Sequence, residues 1–408
     1  SKEYWQSNRD GVGDRNGHGS HVASIVASPW TSASGKYEGV APTADLLVVK
    51  AFGENGGGSY LDVIAGIDAV VSRRDELNIK VLNLSFSAPV RSPYWEDPLN
   101  QAVMAAWEAG IVVVASAGNT GPDAMTIGVP GNNPYIITVG AMTDSFTRFD
   151  ASDDRLASFS ATGPTYEGFV KPDLVAPGGH LLGWMPPASY LGANHPDAQA
   201  ETDKHLAMSG TSQAAAVVSG VAALMLDANP NLTPDEVKCR LLSTARPAVD
   251  SQGRLAYSVF QQGAGLVDAL AAVNSNASGC ANVGLDIAKD LSGEQHYGGP
   301  ANQDEDGNFF VMEMDGNTPQ APLSGDGYTW SQGYTWSQGY TWSQGYTWSQ
   351  GYLWSQGYPW SQGQTSVSGY VWSQGYLWSQ SLPWDESSPA FRGNLTETAS
   401  VNAWVPQE

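Results

Sequence analysis

Between residue 1 and about residue 275 the apolar positions fall in short, nearly continuous runs. "ADLLVVKAF" (44–52), "IKVLNLSFS" (79–87), "GIVVVASAG" (110–118) and "PYIITVGAM" (134–142) show little polar alternation. Between them, "SYLDVIAGIDAVVSRRDEL" (59–77) and "DPLNQAVMAAWEAG" (97–110) read as helices. A strand that is apolar on both faces must be covered on both faces, and strands separated by helices pair in parallel. The pattern predicts an α/β domain, a parallel sheet with helices on both faces. No uninterrupted apolar run reaches membrane-spanning length.

Near residue 280 the pattern changes. Residues 281–326 are polar, acidic and Gly-rich around one apolar island, "NFFVMEM". From Gly327 to Trp384 the chain repeats the hexapeptide "GYTWSQ" with variations, and 385–408 follows no pattern. The expected organisation is a domain over 1–279, an acidic linker over 280–326, the repeat over 327–384 and a tail over 385–408. Nine of the 15 tryptophans fall at six-residue intervals from Trp330 to Trp384, with one gap at Ser366. Six residues do not return to one helix face, whereas a strand or a polyproline II segment keeps Tyr and Trp aligned. Pro359 and Pro383 would place such a strand at an edge. The aromatic stripe suits stacking on polysaccharide, self-association, or packing on the preceding domain, and a low-complexity tail equally.

Charge narrows the partners. Nineteen basic residues stand against 41 acidic ones, a net of −22, which repels phosphate backbones and excludes nucleic acid. The same excess fits solubility outside the cell. Cys239 and Cys280 allow one disulfide or two buried thiols. No secretory leader is visible, and Ser1 is not an initiator residue, so a missing N-terminal segment is expected.

The candidate chemistry lies in four segments. "HLAMSGTSQAAAVVSGVAALML" (205–226) places Ser212 at the start of an Ala/Val-rich helix. A small-residue turn exposes the hydroxyl there, and the helix N-terminus favours developing negative charge. "NGHGSHVAS" supplies His18, "ASAGNTG" supplies Asn119 at a strand end, and "KPDLVAPGG" (171–179) precedes the serine segment.

With "GVAPTADLLVVK" (39–50), "VLNLSFS" (81–87) and "GAGLVDALAAV" (263–273), these segments follow one order over residues 8 to 275. The chain thereby resembles the subtilisin-like serine peptidases. The resemblance implies their fold and a serine endopeptidase, with Ser212 as nucleophile and His18 as general base. The Asn119 amide and the Ser212 backbone N–H would then donate to the oxyanion. His21 would be structural, since the H-E-x-x-H metal pattern is absent. His180, His195, His205 and His296 receive no role.

The resemblance also implies that a peptide lies as an added strand between Gly56, Gly57, Gly58 and Leu84, Ser85, Phe86, Ser87. Ser116, Ala117, Gly118 and Gly128 would wall the pocket for the side chain before the cut. These residues are small and uncharged, which predicts broad specificity with an apolar preference on protein or peptide substrates.

The orienting acid is the main departure. Relatives carry it at the end of the first core strand, about 30 residues before the histidine. Only 17 residues precede His18, and they contain no apolar strand. Asp14 matches the family's acidic substrate contact, and Asp10 lies in the preceding turn. The acid is therefore expected on a strand before Ser1. Without it, turnover should fall by about 10⁴. The competing class is a non-catalytic binding or assembly protein in which the aromatic repeat does the work.

No cofactor is needed for this chemistry. The Asn-rich calcium loop of many relatives is absent from 27–42. "NQDEDGNFFVME" (302–313) is a separate candidate calcium loop, with Asn302, Asp304, Asp306 and Glu313 at ligand positions.

Overall fold

The computed structural model describes residues 3–6, 13–32, 35–145, 147, 152–195, 205–251, 253–304 and 307–311. The hexapeptide repeat, the tail, Asp10, Asp306 and Glu313 lie outside them.

In chain order, the first half comprises β1 (Glu3–Gln6), α1 (His18–Ala27), β2 (Leu47–Lys50), α2 (Tyr60–Ser72), β3 (Val81–Leu84), α3 (Pro98–Glu108), β4 (Val112–Ser116) and β5 (Ile137–Thr143). Then follow β6 (Arg155–Leu156), β7 (Leu174–Pro177), β8 (Leu181–Trp184), α4 (Tyr190–Asn194), β9 (His205–Met208) and α5 (Thr211–Ala228). The remainder comprises α6 (Pro234–Thr244), α7 (Val259–Gln262), α8 (Ala269–Asn274), α9 (Ile287–Leu291), β10 (Ala301–Gln303) and β11 (Phe309–Val311).

The expected α/β architecture is present. Strands β3, β4, β5 and β7 run parallel, and β6 pairs antiparallel at β5. Every residue of β4 and β5 is buried, as continuous apolar runs require. Helix α5 lies along β3, β4, β5 and β7, while α3 covers β4 and carries α2. Asp97 starts α3 by accepting from the Leu99 and Asn100 amides, and Ser59 caps α2 through the Asp62 amide. By length and hydropathy α5 could cross a membrane, but most of it is buried in this core.

One strand was not expected. Residues 3–6 form β1, paired in parallel with β2, although no apolar run marks them. Tyr4 and Trp5 favour extended backbone, and the pairing comes from a segment some forty residues later, which a local pattern does not carry.

The sheet is split. β1 and β2 form one piece, β3 to β7 the other, and no ladder joins β2 to β3 among the described residues. Just past the two strand ends, the Phe52 and Phe86 rings meet at 5.2 Å, so the pieces lie side by side. Both facing edges are partly open: β2 has no fully buried residue, Val48 is 38% exposed, and only Leu84 of β3 is buried.

The described part of the stretch expected as a linker folds onto the domain. Asp290 accepts hydrogen bonds from Tyr94 Oη (2.5 Å) and Tyr135 Oη (2.9 Å) and pairs with His296 Nδ1 at 2.7 Å. The amides of Gly299 and Ala301 donate to the carbonyls of Glu167 and Gly168. A Cβ on Gly299 would stand 2.1 Å from Gly168 O, so the two backbones meet where only glycine fits. Cys239 and Cys280 form a disulfide that ties this segment to α6. With 41 residues of separation, loop closure contributes about 4 kcal/mol in the chain-entropy account.

Strands β10 and β11 pair antiparallel, Ala301 opposite Val311. The Asn302 side-chain oxygen accepts from the Gln303 amide, and both Asp304 oxygens are held by Asn308. Among the described residues there is no cluster of three or more His, Cys, Asp or Glu, and the other two expected ligands, Asp306 and Glu313, lie outside them.

Candidate active site

Ser212 is the second residue of α5 and has no solvent exposure. Its Oγ donates to Ser85 O at 3.2 Å, and Ser85 Oγ donates back to Ser212 O at 2.8 Å. Helix α5 has no side-chain cap. The Ser212 amide, one of the first-turn groups that a helix leaves without an internal partner, has no acceptor among the described residues.

Asn119 is oriented by the same corner. Its Oδ1 accepts from the Thr211 amide (3.0 Å) and the Thr211 hydroxyl (2.7 Å), and the Gly118 amide donates to Thr211 Oγ1. Gly118 has φ +111°, a left-handed conformation that glycine adopts without strain where the chain leaves β4. With its oxygen held, the Asn119 amide nitrogen is buried and unpartnered. A Cβ on Gly210 would stand 3.1 Å from Asn119 Nδ2 and 3.7 Å from Ser212 N. The nearest atom to that Cβ position is the buried Gln213 Oε1 at 2.7 Å, so the two free donors and one free acceptor border the same small space beside the serine, and the donors are the kind that a developing oxyanion needs.

His18 opens α1 and is 6% exposed. Its amide donates to Asn16 Oδ1 at 3.2 Å, and its Nε2 is buried without a partner. Among the described residues no hydrogen bond links His18 to Ser212 or to a carboxylate. Burial lowers its pKa from 6.5 to about 4, with His21 adding to the shift and Asp14 opposing it.

Asp14 stands at the start of α1. Its carboxylate accepts from the amides of Asn16 (3.1 Å), Gly17 (2.7 Å) and Ser20 (2.7 Å), closing the entrance to α1. His21 is fully buried, with its Nε2 bonded to Leu206 O at 2.9 Å and Gly183 against the ring. Burial lowers its pKa to about 4 as well.

The buried His21 has a measurable consequence. The unfolded chain protonates it below about pH 6.5, whereas the folded chain refuses the proton until about pH 4. Unfolding therefore becomes easier as the pH falls through that window. Asp97 and Glu167, pushed up to about 6 and 7 by burial, act in the opposite sense, so a difference measurement is needed. Relative to His21→Gln, the wild type should lose up to about 3 kcal/mol between pH 6.5 and 4 in denaturant titrations. A pH-independent difference would show that His21 is not held neutral.

The expected substrate residues are brought to one region, though not all face solvent. The Gly53–Gly57 turn is closed by two backbone hydrogen bonds, and a Cβ on Gly58 would stand 2.6 Å from the Phe52 ring. Leu84, Ser85 and Phe86 are buried, and Ser87 stays partly exposed. The Ser87 hydroxyl approaches both Gly118 and Gly128, so those two glycines do face one space. Ser116 and Ala117 have no exposed surface. The Ser116 hydroxyl donates to Phe86 O, and Ala117 packs with Ile127 and Ala161. They back the wall from behind.

Sequence reasoning missed Thr211, which orients Asn119, because a Gly-Thr-Ser turn does not show which distant amide its threonine will hold. It also gave no weight to 185–195, whose backbone grips Arg15 and Asn16.

The subtilase family model matches residues 2–265. The chain is 43% identical over 230 residues to serine protease AprX of Bacillus subtilis (strain 168), across 55% of this chain and 52% of AprX. It is 34% identical over 261 residues to subtilisin DY of Bacillus licheniformis, across 64% of this chain and 78% of that protein. Among solved structures, the prenylagaramide maturation protease PagA superposes with a TM-score of 0.50 at 26% identity, over 67% of this chain and 85% of PagA. The S41 psychrophilic protease gives 0.51 at 26% identity, over 64% and 80%. The chain spans about half the length of AprX. The serine at the start of α5, the histidine opening α1 and the asparagine past β4 lie inside the matched span, and the chain belongs to the subtilase family.

Proposed function

We propose that this chain is the core of a secreted serine endopeptidase. Ser212 attacks the scissile carbonyl, His18 takes its proton and returns it to the leaving amine, and Asn119 Nδ2 with Ser212 N–H stabilises the oxyanion. The observation that carries the reading is the pair of free donors around one space beside Ser212. A peptide running between Gly56–Gly58 and Ser85–Ser87 would present its carbonyl there, and Asp14 would contact it at the rim. The small residues around Ser87, Gly118 and Gly128 support broad cleavage after apolar side chains.

His18 still requires an orienting carboxylate, and the open edges of β2 and β3 supply a place for it. A parallel strand seated between them would complete the sheet, and a carboxylate at its end would reach the imidazole. We place this strand outside the described residues.

The test is covalent labelling of Ser212 by a fluorophosphonate, followed by peptide mapping. A hydroxyl without an activating base does not react, and absence of label on Ser212 in the full-length protein would favour the binding-protein reading. Substitution of Asn119 by Leu is expected to lower kcat by about 10²–10³ with little change in KM. That magnitude is the one known for the matching asparagine of subtilisin. An unchanged kcat would remove Asn119 from the oxyanion site.

A further inference from the structure

The connection from β8 to β9 carries α4 onto the loop that delivers His18. The Tyr190 amide donates to Arg15 O at 2.7 Å, and the Leu191 amide to Asn16 O at 3.0 Å. Gly17 lies against the same segment: a Cβ there would stand 2.3 Å from Met185 Sδ and 2.5 Å from Ser189 Oγ. At its other side, Leu191 packs with Met185, Leu206 and Met208, and Met208 precedes the Ser212 turn by one residue. Helix α4 therefore bridges the loop that bears the base and the strand that feeds the nucleophile.

The acyl half of a substrate has its own wall. Asn16 Nδ2 donates to Glu54 O at 2.9 Å, which joins the His18 loop to the Gly53–Gly57 turn. The turn takes the side chain of Asn16, and α4 takes its carbonyl. Because His18 must hand its proton to the leaving amine, the second half of the peptide departs beside this loop, away from the edges that hold the first half. Helix α4 is packed on that loop through the Tyr190 and Leu191 amides. Its exposed aromatic is Tyr190, 47% accessible, a large apolar surface that a folded core would otherwise bury.

We propose that Tyr190 is a specificity-determining residue that forms, with α4, a subsite for an apolar side chain just after the scissile bond. This rests on the peptidase reading above. An aromatic wall of this kind discriminates an apolar from a small polar side chain by about tenfold.

The test uses the full-length protein and two substrate types. Anilide peptides lack any residue after the cut and report the chemistry alone. Internally quenched peptides carry Phe, Leu, Ser or Asp in the two positions after the cut. The wild type should cleave the Phe and Leu peptides about tenfold faster than the Ser peptide, and Tyr190→Ser should shrink that ratio to about twofold. Tyr190→Phe should restore the ratio, and Tyr190→Arg should turn the preference toward Asp. Each ratio is taken within one variant, so differences in overall rate do not enter. A wild type without apolar preference after the cut, or a Tyr190→Ser or Tyr190→Arg protein that keeps the wild-type ratios, overturns the subsite. Failure of the wild type to cleave the anilides or to react with a fluorophosphonate overturns the peptidase reading, and the subsite with it.

Discussion

On the proposed reading, a carboxylate placed behind His18 should raise turnover by about 10⁴ over its amide counterpart. The comparison uses two forms of the chain, each extended by an apolar strand of the type V-x-D-S-G, one with Asp and the other with Asn in its place. The His18 ring is buried and has no carboxylate partner among the described residues. Burial, with His21 nearby, holds it neutral to about pH 4, which leaves a weak base with a proton affinity poorly matched to serine. A carboxylate behind the imidazole would fix its tautomer and stabilise the imidazolium as it forms. The geometry offers the position, since a parallel strand between β2 and β3 would satisfy two open edges at once. The readout is kcat on an apolar peptide anilide. Equal kcat for the Asp and Asn forms would show that the slot does not carry the acid.

Ser212→Ala is expected to remove fluorophosphonate labelling altogether and to collapse the activity of the Asp form. In subtilisin, the family's reference enzyme, loss of the nucleophile costs about 10⁶ in kcat, and effects within the triad are far from additive. In the Asn form, where no acid orients His18, the same substitution should therefore cost much less. Titration of active sites with labelled inhibitor, alongside kcat, separates the two regimes. Label persisting in the Ser212→Ala protein would mean that another nucleophile reacts. The substitution itself should be tolerated by the fold, since among the described residues it removes one side-chain bond, the 3.2 Å contact from Oγ to Ser85 O.

The sequence and the structure agree most closely where the determining interactions are local. The runs at 110–118 and 134–142 became β4 and β5, buried along their whole lengths, because continuous apolar strands have only that place to go. His18, Asn119 and Ser212 were recognisable because each sits at an element end marked by small residues and glycine. The order of those segments along the chain carried the family.

Partnerships across the chain were another matter. Asp14 stands four residues before His18 and invites assignment to the imidazole, yet its carboxylate is taken by three amides at the entrance to α1. Unsatisfied helix-end amides are its nearest and most numerous donors. Ser116 belongs to the expected pocket by position, but its hydroxyl turns to Phe86 O, thirty residues away. Residues 280–304 look acidic and linker-like because their anchors are scattered: Asp290 finds Tyr94 and Tyr135 only after the chain has folded back over more than 150 positions.

The sequence by itself determined the α/β class and the family, and it singled out His18, Ser212 and Asn119 as the residues proposed for the chemistry. All of these follow from periodicity and from short motifs whose geometry is set within a few residues. Only the tertiary structure decided that Thr211 holds Asn119 by its oxygen and so leaves the amide free, that α4 closes on the His18 loop, and that no ladder joins β2 to β3 among the described residues. Hydrogen-bond satisfaction and edge pairing depend on which distant segments come within three ångströms, and no local pattern encodes that meeting.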